Sequence, residues 1–129
     1  MFRLSQKSDY GLILLSNLAK SKGIISVSSV AKKNKLSSKF LSQVALELKK
    51  AGILKSKEGT SGGYALAKKS TDIKVLDVLT VLDGGLVKGD CFEDDHECKC
   101  GAKGMWGDMK KQMEETIGRK TVADLVVSK

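Results

Sequence analysis

The 129-residue chain contains no proline and a single histidine. Without proline, its helices can run uninterrupted. It also lacks any run of about 18 apolar residues, so no transmembrane helix is predicted. The first residues, MFRLSQKSDY, lack the pattern of a signal peptide. We therefore expect a cytoplasmic protein without a membrane partner.

The chain also lacks the usual signatures of an enzyme. It has one histidine, no paired carboxylates in a predicted element, no nucleophile motif and no nucleotide-binding fingerprint. The glycine-rich stretch near residue 60 is not a P-loop, because it has no GK[ST] sequence and no helix follows it. We expect a protein that is not an enzyme.

Positive charge is abundant. The formal net charge is +8, and 21 of the 23 basic residues are lysine. This balance favours a polyanionic partner, either nucleic acid or a membrane surface, although lysine-rich surfaces also serve solubility alone. The length fits one domain, or one domain with an appended arm.

The pattern in the middle of the chain predicts a helix, a stop and a small hairpin. Apolar residues recur at 3.6-residue spacing after Ser37, which can cap the helix, and Gly52 stands where a left-handed stop is expected. Strands Ile53–Ser56 and Tyr64–Ala67 follow, joined by the loop Glu58–Gly63. A helix followed by such a hairpin is the winged helix-turn-helix arrangement, in which the hairpin is the wing.

Two earlier helices complete this arrangement. The first is predicted over Ser5–Ala19 and the second over Ser26–Lys33, with a turn at Asn34–Leu36 before the third. Two short helices joined by about three residues form the helix-turn-helix, and its second helix reads DNA. Between the first two helices, Ile24 and Ile25 can add a short strand to the hairpin.

The outward face of the third helix is the candidate DNA-reading surface. Glutamine can bond adenine bidentately, serine reads less selectively, and lysine contacts guanine or phosphate. Without the wing, a solvated helix face would be the simpler interpretation. The candidate base contacts are Ser38, Lys39, Ser42 and Gln43.

The wing offers groups that suit a phosphate backbone. Glycines let the chain approach a phosphate closely, while hydroxyl, N–H and ammonium groups can donate to it. The predicted contacts are Lys57, Thr60, Ser61, Gly62, Gly63 and Tyr64.

Two more helices are predicted after the wing. Val75–Asp83 is expected to pack on the core, and Gly104–Ile117 is the last long helix. The latter carries an apolar stripe at i, i+4 and i+8, which indicates a dimer interface, with a plain core helix as the alternative. The stripe consists of Met105, Met109, Met113 and Ile117. A short turn capped by Thr121 and a frayed tail are expected to follow.

All three cysteines, Cys91, Cys98 and Cys100, lie close together beside His96 in an acidic stretch without periodicity. Thiolates are soft ligands that suit iron–sulfur clusters, zinc and copper(I), and structural disulfides are not expected in the cytoplasm. An acidic loop with free thiols is the alternative.

These stretches together resemble the Rrf-two family of bacterial transcription regulators. The resemblance rests on RLSQKSDYGL, FLSQVALELKKAGIL, GTSGGYALA, IKVLDVLTVLDG, the cysteine segment, Trp106 and TVADL, and it covers nearly the whole chain. It implies a mostly α-helical fold with a small β-hairpin wing and a long C-terminal dimerisation helix. The implied divisions are a winged helix-turn-helix domain (1–85), a cluster-binding loop (86–103) and a dimerisation helix with its tail (104–129).

The resemblance also implies a [2Fe–2S] or [4Fe–4S] cluster held by the three cysteines. In NsrR-type members a partner's aspartate supplies a further ligand, and the matching position is Asp9, which in local terms only complements the helix dipole. IscR-type members use a histidine after the third cysteine, whereas His96 precedes Cys98 here. One residue separates Cys98 from Cys100, which also departs from the family spacing.

We therefore expect a homodimeric repressor that binds a palindromic operator in double-stranded DNA. The cluster would report redox state, nitric oxide or iron–sulfur status. One alternative is a regulator without a cluster, with a zinc or thiol switch. Another is a metal- or cluster-handling module whose winged domain contacts a protein.

Overall fold

The computed structural model describes residues 5–21, 23–59, 62–84 and 103–126. In these ranges the chain is mostly helical, with one two-stranded antiparallel sheet. The elements, in order, are α1 (Gln6–Ser21), α2 (Val27–Asn34), α3 (Ser38–Lys50), β1 (Leu54–Lys57), β2 (Gly63–Leu66), a 3₁₀ turn (Ser70–Asp72), α4 (Val75–Asp83), α5 (Lys103–Gly118) and a C-terminal 3₁₀ turn (Val122–Val126). The predicted fold class is confirmed.

Helix α1 lies at the centre of the packing and contacts α3, α4 and the C-terminal 3₁₀ turn. Helices α1 to α4 each contribute buried residues from the apolar stripe that the 3.6-residue pattern predicts. Among the larger side chains, those with less than 2% exposure are Leu14, Leu15, Leu18, Leu41, Val44, Leu48, Val78, Val122 and Ser8. Ser8 is the one polar member of this set, and it has a specific partner.

Local signals set the ends of the helix-turn-helix. The Ser26 side chain accepts a hydrogen bond from the Ser29 N–H and so caps α2, and the Ser37 side chain caps α3 through the Phe40 N–H, both at 3.2 Å. Such caps satisfy helix N–H groups that have no intrahelical acceptor. Gly52 has φ +83°, as its predicted role in ending α3 requires.

Strand β1 lies one residue later in the sequence than predicted, and β2 lies one residue earlier. The N–H of Ile53 bonds the carbonyl of Leu48, and that of Gly52 bonds Lys49, which completes a Schellman motif. Ile53 therefore takes part in the motif that ends α3, and β1 begins at Leu54, which lies opposite Leu66. The Ile53 carbonyl still accepts a hydrogen bond from the Ala67 N–H at 3.0 Å. The predicted addition of Ile25 to the hairpin is confirmed, because it forms an antiparallel bridge with β2.

The C-terminal 3₁₀ turn returns to the winged domain. Val122 is 0% exposed in the main core, and its N–H donates to the carbonyl of Ile73 at 2.8 Å. Thr121 bridges to Lys74 in the residues just before α4. Residues 121–126 thus contribute to the core, whereas the sequence had grouped them with the dimerisation helix.

Within the described ranges, no helix has both the length and the apolarity needed to cross a bilayer.

Candidate nucleic-acid interface

Helix α3 has two faces of opposite character. Its inward side chains pack in the core, and among them Leu41, Val44 and Leu48 are 0% exposed. The four predicted base contacts, Ser38, Lys39, Ser42 and Gln43, lie on the other side and are exposed, as are Leu46, Lys49 and Lys50 farther along the helix. The buried half fixes the helix to the domain, so the polar half stands outward as a surface of the size that enters a major groove.

Helix α2 contacts α3, and a short turn joins the two helices. The N–H groups of Lys35 and Leu36 bond the carbonyls of Lys32 and Ala31, which ends α2. Lys35 has φ +57°, a left-handed conformation that a non-glycine residue rarely adopts. Its side chain is exposed and adds a positive charge near the start of α3.

The start of α3 is also held from α1. The hydroxyl oxygen of Tyr10 accepts a hydrogen bond from the Ser37 N–H at 3.3 Å. The Tyr10 ring meets the Phe40 ring edge to face, with 4.9 Å between centroids and 78° between planes. Such aromatic pairs favour one relative orientation. Farther along, the Lys7 ammonium and the Glu47 carboxylate form a partly exposed ion pair at 3.0 Å. These contacts fix where α3 begins relative to α1.

The predicted DNA contacts of the wing differ in their exposure to solvent. Lys57 is exposed at the end of β1, as a backbone contact requires. Gly62, Gly63 and Tyr64 are half-buried, and the protein itself approaches the glycines: a Cβ on Gly63 would lie 2.3 Å from the Ile25 carbonyl oxygen. Tyr64 packs against the core and exchanges two backbone hydrogen bonds with Ile25. The predicted contacts Thr60 and Ser61 lie outside the described residues.

A cluster around Asp83 was not predicted from the sequence. The Ser5 hydroxyl donates to the two carboxylate oxygens of Asp83 at 2.6 and 2.7 Å, and the Ser8 hydroxyl also donates to this carboxylate. Ser5 in addition accepts from the Ser8 N–H at 3.1 Å, which caps α1. The carboxylate therefore stands at the positive end of α1, where a negative charge is favoured. We call this arrangement the Asp83 clasp.

The predicted cysteine ligands Cys91, Cys98 and Cys100 lie outside the described residues. Asp9 is described, and its side chain is exposed on α1. Among the residues that the structure does describe, no three histidine, cysteine, aspartate or glutamate side chains group as a metal site. By their chemistry, three thiolates are soft donors that suit an iron–sulfur cluster.

Helix α5 carries the predicted apolar stripe only partly covered. Met105 is 53% exposed, while Met109, Met113 and Ile117 are half-buried. A methionine stripe left open in this way is typical of a surface that another chain can cover.

The three helices, the hairpin and the exposed face of α3 define a winged helix-turn-helix protein. The comparisons with known proteins agree. The model of the Rrf2 family, described as "Iron-dependent Transcriptional regulator", matches residues 4–128. The chain belongs to the Rrf2 family.

The chain is similar both to CymR and to IscR regulators. The transcriptional regulator CymR of Bacillus subtilis is 32% identical over 95% of this chain and 88% of its own length. Its solved structure, titled as that of the global cysteine regulator, superposes with a TM-score of 0.82 over 98% and 97% of the two chains. A structure of T. potens IscR is 35% identical, with a TM-score of 0.79 over 96% and 85%. The oxidised form of Staphylococcus aureus CymR is 29% identical, with a TM-score of 0.80 over 98% of each chain. The CymR and IscR relatives are named as HTH-type transcriptional regulators.

Proposed function

We propose that this Rrf2-family regulator is a homodimeric repressor that reads a palindromic operator with α3 and reports a chemical signal through its cysteine segment. The observation that carries the proposal is the two-sided character of α3. Four of its side chains are fully buried, and the four polar side chains predicted to contact bases are exposed on the other side. Helix-turn-helix dimers place two such helices in successive major grooves.

The exposed residues divide into base and backbone contacts. Gln43 suits adenine, Lys39 suits guanine or phosphate, and Ser38 and Ser42 add less selective hydrogen bonds. Each wing would follow the flanking backbone, with the Lys57 ammonium adding electrostatic affinity. The remaining wing contacts are Thr60, Ser61, Gly62, Gly63 and Tyr64.

Dimerisation would cover the open stripe on α5. Burying the exposed Met105 and the half-buried Met109 and Met113 against a second copy removes apolar surface from water. A two-fold dimer would also match the symmetry of a palindromic operator.

For the signal, the donor set favours an iron–sulfur cluster on Cys91, Cys98 and Cys100. Exposure of Asp9 on α1 fits its role as a further ligand across the dimer. The cluster would supply a group that responds to oxidants, nitric oxide or iron supply, while the protein residues bind it and carry the change to the DNA-binding surface. A coupling of about 1–3 kcal/mol would change operator affinity roughly 5- to 150-fold.

The similarity to CymR supports a second candidate, a thiol switch without a cluster. An oxidised CymR structure superposes over almost the whole chain. In this candidate two of the three thiols would form a disulfide, and an oxidant such as diamide would accept the two electrons and two protons that are released.

The DNA-binding proposal is tested by selecting duplexes from a random library and measuring affinity by fluorescence anisotropy at several salt concentrations. Gln43→Ala should weaken the selected duplex by about 1–3 kcal/mol and relax preference at one base pair. Lys39→Ala, if Lys39 bonds phosphate, should reduce the salt slope by about one. Gln6→Ala, an exposed glutamine outside the helix-turn-helix and wing, is the matched control. The absence of any preferred duplex would refute the proposal.

The signal is tested on protein purified without oxygen, by its absorption spectrum and by assays of iron and sulfide. Visible charge-transfer bands with matched iron and sulfide support the cluster, and Cys→Ser variants of the three cysteines then assign its ligands. A colourless protein that takes up no iron on reconstitution, yet loses operator affinity with diamide, supports the thiol switch.

A further inference from the structure

The end of α4 and the start of α1 are joined by charge-assisted hydrogen bonds. In the Asp83 clasp, one carboxylate receives the hydroxyls of both Ser5 and Ser8, and Ser8 is 0% exposed. Hydrogen bonds from hydroxyl groups to a carboxylate are short and about twice as strong as neutral ones. The clasp therefore fixes the first turn of α1 to the last residue of α4.

The neighbouring residue of α4 also contacts α1 closely. A Cβ built on Gly11 would lie only 2.4 Å from Leu82 Cδ1 and 3.5 Å from Val44 Cγ1. Gly11 thus allows α1 to approach α4 and α3 at the same point. Leu82 and Asp83 together contact α1 on both sides of Tyr10 in the sequence.

Tyr10 lies between these contacts and holds the first turn of α3. Its hydroxyl receives the Ser37 N–H, and its ring contacts Phe40. Because Ser8, Tyr10 and Gly11 lie within four consecutive residues of one helix, a shift of α1 at Ser8 moves Tyr10 with it. Packed interiors transmit such displacements because they have few voids.

We propose that Asp83 is a positioning residue for DNA reading, which acts through α1 and Tyr10 on the start of α3. Asp83 does not belong to the outward face of α3 or to the wing, so its effect on DNA is indirect. The inference rests on the proposed function for its consequence in operator binding, but the coupling itself is a property of the free protein. In the sequence, Gly84 and then the cysteine segment follow Asp83, which places this junction directly before the proposed sensing residues.

The first experiment records backbone amide NMR signals of the free protein. Asp83→Asn keeps the side-chain shape but removes the negative charge to which the Ser5 and Ser8 hydroxyls donate. It should shift the amide signals of Ser37 and Phe40. Tyr10→Phe should shift the same signals, because Tyr10 contacts both residues directly. Thr80→Ala removes only an exposed bond within α4, to the Leu76 carbonyl, and should leave both signals in place. If Asp83→Asn shifts only the signals of its neighbours in α1 and α4, the proposal is wrong.

The second experiment measures affinity for the selected duplex and for a random duplex. Asp83→Asn should weaken only the selected duplex, by roughly 2- to 30-fold, the range for substitutions that act on coupling without touching the ligand. The double variant with Tyr10→Phe should be no weaker than the more affected single variant. If the losses of affinity add in the double variant, or if Asp83→Asn weakens both duplexes equally, the two residues do not act through α1 on the same step of DNA reading.

Failure of the proposed function and failure of the coupling through Asp83 give different results. If the wild-type protein prefers no duplex, the proposed function fails, and the NMR experiment alone decides the coupling. If Asp83→Asn does not fold, Ser8→Ala removes a single hydroxyl from the clasp and replaces it in both experiments. Unshifted Ser37 and Phe40 signals in folded Ser8→Ala would then overturn the proposal.

Discussion

The Tyr10 hydroxyl oxygen accepts a hydrogen bond from the Ser37 N–H, across 27 positions of sequence. Ser37 in turn caps α3 through the Phe40 N–H, and the Phe40 ring contacts the Tyr10 ring. One buried side chain of α1 therefore contacts both the cap and the first turn of the helix proposed to read DNA. The position of that helix depends on the packing of α1 as much as on its own sequence.

Removing only the Tyr10 hydroxyl should destabilise the domain modestly. Tyr10→Phe keeps the ring contact with Phe40 but leaves the Ser37 N–H without this acceptor, so we expect a loss of about 1 kcal/mol in unfolding free energy. Tyr64→Phe is the control, because the Tyr64 ring also packs against the core, while its hydroxyl has no hydrogen bond to any residue that the structure describes. Urea denaturation followed by circular dichroism measures both variants. If both variants lose the same unfolding free energy, the hydrogen bond from Ser37 to Tyr10 does not contribute specifically to stability.

Gly11→Ala tests the close contact between α1 and α4. The new methyl group would lie 2.4 Å from Leu82 Cδ1. Because Leu82 is buried, its side chain has little room to move aside, and we expect overpacking to cost about 1–3 kcal/mol, more than the helix propensity that alanine gains. Gly107→Ala, a helical glycine with open space around it, should instead stabilise α5 by up to about 1 kcal/mol. Denaturant midpoints measure both effects. In a Leu82→Ala background, Gly11→Ala should no longer destabilise, and a persisting loss there would exclude Leu82 as the cause.

Gly63→Ala separates a structural role of the wing glycine from contact with DNA. A Cβ would meet the Ile25 carbonyl oxygen at 2.3 Å, and backbone cannot move aside as a side-chain end can. We expect the free protein to lose about 1–3 kcal/mol of stability and the bridge between Ile25 and Tyr64 to weaken. Ser56→Ala, an exposed strand residue opposite Tyr64, should change stability by less than about 0.5 kcal/mol. Reduced operator affinity at unchanged stability would instead point to a phosphate contact alone.

Features set by neighbouring residues could be predicted from the sequence. Ser26 and Ser37 each bond an N–H three residues ahead, and Gly52 adopts the left-handed conformation that ends α3. The outward face of α3 was predictable for the same reason, because the 3.6-residue period fixes which side chains are buried.

Contacts between distant residues could not be predicted in this way. Ser5 and Asp83 are separated by 78 positions, and no local pattern indicates which residue of α4 meets the start of α1. The surroundings of Gly63 likewise depend on Ile25, which approaches from before the helix-turn-helix. Gly63 had a local explanation as a wing glycine, and Asp83 was only the last residue of a predicted helix, so the sequence contained no sign of these contacts.

The C-terminal turn offers the clearest test of the core, because its role depends on one valine. Val122 is 0% exposed and lies among residues of the winged domain, so Val122→Ala should remove two buried methyl groups and cost about 2 kcal/mol of unfolding free energy. Val81→Ala removes the same atoms from a side chain that is 38% exposed, and should change stability by no more than about 0.5 kcal/mol. Because α1 packs on the turn that contains Val122, amide hydrogen exchange should rise in α1 of Val122→Ala but not of Val81→Ala. Unchanged stability and exchange in Val122→Ala would mean that residues 121–126 belong with α5 as a separate arm, as the sequence alone suggested.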